Sequence, residues 1–195
     1  MKGAKVICIT GGIGSGKSTL CRMLESKGYS VYYSDERAKF LMNSQPNLVQ
    51  SVTDLFGESA FESGTLNSAY IADCIYKKKD LKVKLESMVH PLVKDDFLHW
   101  CAEKGERIVF KESALSLETS DKYCQYIVSV IAEKNIRIER VRKRSPGLSE
   151  LRIEAIISTQ YPDHLREKYS HCIIENNGTI QGLEAKVDYL LSKVI

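Results

Sequence analysis

Residues 11–18 read Gly-Gly-Ile-Gly-Ser-Gly-Lys-Ser, which satisfies G-x-x-x-x-G-K-[ST] at every fixed position. Phosphate oxygens need several donors at once. Glycines let successive backbone N–H groups converge on those oxygens with no Cβ in the way. A helix starting at the end of the run adds its unpaired N–H groups and the positive end of its dipole. The expected cradle is therefore Gly12, Ile13, Gly14, Ser15, Gly16, Lys17, Ser18 and Thr19. Lys17 reaches the β- and γ-phosphates, the Ser18 hydroxyl ligates Mg²⁺, and Thr19 serves the α-phosphate or caps the helix. A glycine-rich turn with a solvated lysine would give the same letters. The run, however, follows an apolar strand and opens an amphipathic helix, the setting a nucleotide site requires.

Such a cradle serves switches, motors and kinases. A GTPase adds N-K-x-D for guanine, and no N-K-x-D occurs; Asp54-Leu-Phe-Gly57 matches D-x-x-G by letter but follows no convincing strand. A kinase needs a carboxylate near the γ-phosphate to orient or deprotonate the acceptor. Asp35, directly after Val31-Tyr32-Tyr33-Ser34, is the candidate, with helix N-capping as its bland alternative. A second requirement is cationic charge over the migrating phosphoryl group. Arg137-Ile-Glu-Arg140-Val-Arg142-Lys143-Arg144 supplies it, and on a helix Arg137, Arg140 and Arg144 share a face. A closing lid of this kind also excludes water. A solvated basic face is the competing reading.

These groups must be held by a frame. Apolar runs at Lys5–Ile9, Ser30–Tyr33, Arg107–Phe110, Tyr126–Ile131 and Cys172–Ile174 read as strands covered on both faces. Helical patterns between them predict a parallel α/β sheet. The first helix should bury Leu20, Met23 and Leu24 and stop near Gly28. Residues 36–104 exceed a single crossover and read as a mainly helical substrate-binding region, with a kink or a new helix start at Pro91. The rest divides into a core at about 1–35, 105–135 and 161–195 and a lid at about 136–160, all within one domain. With 195 residues, 43% hydrophobic content and net charge +3, nothing calls for nucleic acid or a membrane. No signal peptide is evident in the first ten residues. The six cysteines form no C-x-x-C pair and read as reduced thiols packed as small hydrophobes, which suits the cytoplasm.

Over nearly its whole length the chain resembles the dephospho-coenzyme A kinase family. Thr10–Ser18 is similar to that family's T-G-G-I-G-S-G-K-S, and Asp35 to the second aspartate of its D-A-D. Leu85-Glu86 and His90-Pro91 resemble L-E-x-x-x-H-P, and Glu112–Glu118 resembles D-x-P-L-L-x-E with Ala114 in place of proline. Arg140, Arg144 and Gln160 match the lid, and Glu175-Asn176-Asn177-Gly178 resembles D-N-x-G near the nucleotide base. The resemblance implies a five-stranded parallel sheet of the P-loop nucleoside-kinase kind, helices on both faces, order 2-3-1-4-5. It implies ATP and Mg²⁺, with Glu112 holding the metal through a water. His90, Leu115 and Glu118 would face the substrate, and Arg140, Arg144 and Asn176 the ATP. The implied reaction phosphorylates the ribose 3′-hydroxyl of dephospho-coenzyme A, with no nucleic acid, membrane or obligatory oligomer involved. Without the resemblance, His90 reads as a helix-end histidine. Ser68 stands where the family carries arginine, Tyr33 stands where it carries the first aspartate of D-A-D, and Ser145-Pro146-Gly147 lengthens the lid. Another small-molecule kinase, for adenylate, cytidylate, shikimate or gluconate, or a non-catalytic nucleotide-binding protein, are the alternatives.

Overall fold

The first apolar run forms strand β1 (Lys5–Thr10) in the computed structural model, which describes residues 4–119 and 121–195. β1 is buried from Val6 onward, as a central strand covered on both faces must be. β2 (Val31–Tyr33), β5 (Ile108–Glu112), β6 (Tyr126–Ile131) and β7 (Cys172–Glu175) join it in one parallel sheet of order β2-β5-β1-β6-β7. Renumbered among the five sheet strands alone, that is the expected 2-3-1-4-5. β1 lies between β5 and β6, so the chain leaves it at the switch point of the strand order. The loop after β1 therefore opens at the carboxyl edge of the sheet, where such folds bind ligands.

Helix α1 (Lys17–Ser26) packs Leu20, Cys21 and Leu24 against Ile7, Ile9, Val128 and Val130, with Met23 partly buried beside them. Its end is closed by Gly28 N–H donating to the Glu25 carbonyl at 2.9 Å and Tyr29 N–H to Leu24 at 3.1 Å. α9 (Ile180–Val194) adds Leu183, Val187, Leu190, Leu191 and Val194, spaced to lie on one stripe. α6 (Lys134–Arg144), α7 (Glu150–Ser158) and α8 (Asp163–Tyr169) follow β6. Residues up to Tyr33 together with Gly105–Ile195 form one compact unit, and Ser34–Lys104 form another.

The second unit contains α2 (Ser34–Ser44), α3 (Pro46–Phe56), α4 (Ser68–Lys77) and α5 (Lys79–Lys104). Leu41, Leu48, Val52, Phe56, Ile71 and Val89 fill its core, and Arg37 pairs with Asp96 through Nε at 2.8 Å. Two features depart from the sequence reading. A small antiparallel hairpin, β3 (Phe61–Glu62) and β4 (Thr65–Leu66), turns through Ser63 (φ 50°) and Gly64 (φ 76°). And α5 runs through Pro91 with no second helix starting there, although proline both forfeits the bond its own N–H would make and crowds the carbonyl one turn back.

The cysteine expectation is corrected as well. Cys8 and Cys124 are joined by a disulfide, with Cα atoms 5.5 Å apart and a sequence separation of 116. Gln125, whose N–H donates to the Val6 carbonyl at 3.1 Å, lays the segment before β6 against β1 and brings the sulfurs together. Lys111, opposite Cys8 in register, pairs with Asp121 at 2.6 Å in the same buried region. Cys21, Cys74, Cys101 and Cys172 are not disulfide-bonded.

Candidate active site

The loop between β1 and α1 turns through Gly11 (φ 144°), Gly14 (φ 77°) and Gly16 (φ 101°). Gly16 is doubly constrained, since a Cβ there would also lie 2.1 Å from Asn176 Nδ2. The main-chain N–H groups of Gly14, Gly16 and Ser18 have no acceptor among the described residues. They are three donors in one turn at a helix N-terminus, which suits an anion. The loop carbonyls, by contrast, are engaged. Lys17 Nζ donates to those of Gly11 at 2.8 Å and Gly12 at 3.3 Å, and Ser15 N–H to that of Gly12 at 3.2 Å. Lys17 is buried, with its ammonium resting on the loop, so reaching a phosphate requires it to exchange these carbonyls for phosphate oxygens. Ser18 is exposed, and Thr19 N–H donates to the Gly16 carbonyl at 3.1 Å as part of the first helical turn.

Three predicted residues reach the loop from behind. Asn176 Nδ2 donates to the Ser15 carbonyl at 2.8 Å, and Arg140 Nη1 to the same oxygen at 3.4 Å. Gln160 Oε1 accepts the Ile13 N–H at 2.8 Å. Asn176 is thus committed to the loop, where the resemblance had placed it beside a base. Arg144 is exposed in the last turn of α6 and makes no polar contact among the described residues.

Glu112 ends β5 and is buried between Ile9 of β1 and Tyr33 of β2 in the sheet register. Burial chiefly, and then the Glu112 carboxylate, push the Cys21 thiol far above its usual range, with Lys17 opposing. Glu112 and Lys17 thus both act on the buried spot that Cys21 occupies.

Glu118, expected to face substrate, instead points into the protein. Its Oε1 accepts the Tyr161 N–H at 3.0 Å and Arg166 Nη2 at 2.9 Å, and Arg166 is fully buried. The carboxylate is drawn inward because that guanidinium has no water to stabilise it. Leu115 is half-buried at the head of the same segment, its carbonyl accepting Thr119 N–H at 2.9 Å. Asp35 and His90 belong to the other compact unit. Asp35 is exposed inside the first turn of α2 and so does not cap it. His90 is exposed in mid-α5, not at a helix end.

Sequence reasoning missed Arg137 as a loop contact. The residue is 6% exposed, Nε donates to the Ile13 carbonyl at 2.9 Å, and Nη1 lies 4.0 Å from Asp163. Burial pulls its guanidinium below the usual arginine range, and Asp163 works against that pull. The arginine run flagged the helix, but residue spacing alone does not say which arginine turns toward the loop.

Comparison with known proteins adds relatives to this geometry. A family profile described as dephospho-CoA kinase matches residues 5–182. A dephospho-CoA kinase of Salinibacter ruber is 34% identical over 186 residues, covering 91% of this chain and 92% of the relative. One from Porphyromonas gingivalis is 36% identical over 155 residues, 79% of this chain and 77% of the relative. A crystal structure from Thermus thermophilus superposes with a TM-score of 0.86 at 29% identity, covering 100% of both chains.

Proposed function

Because the chain belongs to the dephospho-CoA kinase family, we propose that it moves the γ-phosphoryl group of ATP to the ribose 3′-hydroxyl of dephospho-coenzyme A, yielding ADP and coenzyme A. The observation that carries this reading is the row of unclaimed amides on Gly14, Gly16 and Ser18, with the Lys17 ammonium beside them, in a chain matched to that family along most of its length. The triphosphate accepts those N–H groups, and Lys17 and Arg140 neutralise charge on the migrating group. Asp35 orients the acceptor hydroxyl and takes its proton as the bond to phosphorus forms. His90 and Leu115 hold the acceptor side, and Arg144 serves the ATP from the lid at about 136–160. Glu118 serves more indirectly, by fixing its segment through Arg166.

The oxygen donors suit Mg²⁺. Ser18 presents an exposed hydroxyl at the helix N-terminus and Glu112 a carboxylate at a strand end, both hard ligands. Ser18 would hold the ion directly and Glu112 through water, and the ion would supply positive charge to offset that of the phosphates. No helix among the described residues is long and apolar enough to cross a membrane. We place the reaction in the cytoplasm, where thiol reductants would act on the Cys8–Cys124 bond.

The deciding assay couples ADP formation to a readout, with Mg²⁺, ATP and a panel of acceptors: dephospho-coenzyme A, nucleoside monophosphates, shikimate and gluconate. ADP production with dephospho-coenzyme A alone is expected. Turnover with another acceptor and none with dephospho-coenzyme A would overturn the assignment.

A further inference from the structure

A trans peptide is planar, so the carbonyl of one residue and the N–H of the next point in opposite directions. Pinning a carbonyl on one side of a loop therefore aims the following amide to the other side. Two loop carbonyls are pinned from behind: Ile13 by Arg137 Nε at 2.9 Å, and Ser15 by Asn176 Nδ2 at 2.8 Å. The amides that follow them, on Gly14 and Gly16, are two of those without an acceptor. One peptide earlier, at Gly12–Ile13, the pattern inverts. Gln160 takes the Ile13 N–H, and the Gly12 carbonyl turns toward Lys17.

We propose that Arg137 is a positioning residue of the phosphate loop: it touches no substrate atom and holds the Ile13–Gly14 peptide so that the Gly14 N–H faces the phosphates. The inference rests on the phosphate-loop reading above. Its geometry is specific to Arg137. The guanidinium lies so close to Gly12 that a Cβ there would sit 2.1 Å from Nη2, and the Arg137 carbonyl would sit 2.4 Å from a Cβ on Gly14. Gly12 has no positive φ, so it is this guanidinium that makes a side chain there costly. Arg137 is also nearly inaccessible to solvent, unlike Arg144 seven residues on, which is exposed. One helix thus carries a fixed arginine at its start and an exposed one at its end.

The test uses full-length Arg137→Met, which keeps the stem and loses the donors, Arg137→Lys, Gly12→Ala, and the Gly12→Ala/Arg137→Met pair. The dissociation constant for ATP–Mg²⁺ is measured without acceptor, beside kcat, KM for dephospho-coenzyme A, and thermal midpoint. A lost charged hydrogen bond predicts a rise of about tenfold or more in Kd for ATP in Arg137→Met. KM for dephospho-coenzyme A should stay within about twofold, and Arg137→Lys should recover part of the loss. Gly12→Ala, which displaces the guanidinium, should cause a similar loss, and the double variant should be no worse than the poorer single one. Unchanged ATP affinity in Arg137→Met overturns the inference alone. So do a fall in kcat at intact affinity, which would make Arg137 a phosphoryl contact, and multiplicative effects in the pair. Wild-type protein that fails to bind ATP overturns the loop reading and this inference together. If Arg137→Met does not fold, Arg137→Lys and Gly12→Ala decide: normal ATP affinity in both overturns the inference.

Discussion

Replacing Glu118 with Gln keeps its shape and one acceptor oxygen but removes the charge facing a guanidinium that water cannot reach. Arg166 is fully buried; Nη2 donates to Glu118 Oε1 at 2.9 Å and Nε to the Tyr161 carbonyl at 3.1 Å. Arg166 Nη1 and Glu118 Oε2 are buried with no hydrogen-bond partner, so the pair meets through a single prong. Breaking a buried pair typically costs about 3–5 kcal/mol, because one charge is left uncompensated. A one-pronged pair belongs at the low end, about 3 kcal/mol. For a chain of 195 residues, each kcal/mol lowers the thermal midpoint by roughly 2–4 °C, so the drop should be about 6–12 °C. Calorimetry of Glu118→Gln reads this directly. Adding Arg166→Met removes the stranded charge, and the double variant should regain most of the loss. A midpoint shift under about 2 °C, or a double variant losing the sum of the singles, would refute the reasoning. A higher KM for dephospho-coenzyme A with an unchanged midpoint would instead return Glu118 to the substrate.

Asp35→Asn should lower kcat by roughly 10²-fold or more and leave ATP affinity within about twofold; near-normal turnover would remove Asp35 from the chemistry. Arg140→Ala should reduce kcat more than Arg142→Ala does, since Arg140 reaches the Ser15 carbonyl while Arg142 pairs with Glu150 at the surface. The opposite ranking would shift the phosphate-facing role to Arg142. Opening the Cys8–Cys124 bond with dithiothreitol should cost up to about 5 kcal/mol, the loop-closure value for a ring of this size, and identical melting with and without reductant would contradict the bond. In native protein, maleimide should label the partly exposed Cys74 and Cys101 well before Cys21, whose thiol burial holds protonated. Early loss of Cys21 would mean that α1 opens readily.

The phosphate loop was legible because its physics is local: eight consecutive residues between an apolar strand and a helix specify it. The sheet was legible because strands buried on both faces leave continuous apolar runs. Harder to read were features joined only by folding. Cys8 and Cys124, Glu118 and Arg166, and Gln160 and Ile13 meet across 116, 48 and 147 positions, and no spacing rule connects residues so far apart. The β3–β4 hairpin escaped because strands of two residues carry no periodicity. The arginine run was correctly located on a helix. Its division of labour depends on which side of α6 packs against the loop, and a polar face does not announce that.

The sulfur link between Cys8 and Cys124 turns the molecule into a closed ring with two tails, and the whole of Ser34–Lys104 lies on the ring. A force applied to the two termini runs through the link and bypasses everything between, about 400 Å of extended contour for a separation of 116. A motor threading the chain from its C-terminal tail would strip α9, β7 and β6 as a single strand. At Cys124 it would have to swallow both arms of the ring together with the N-terminal tail, or stall until a reductant cut the link.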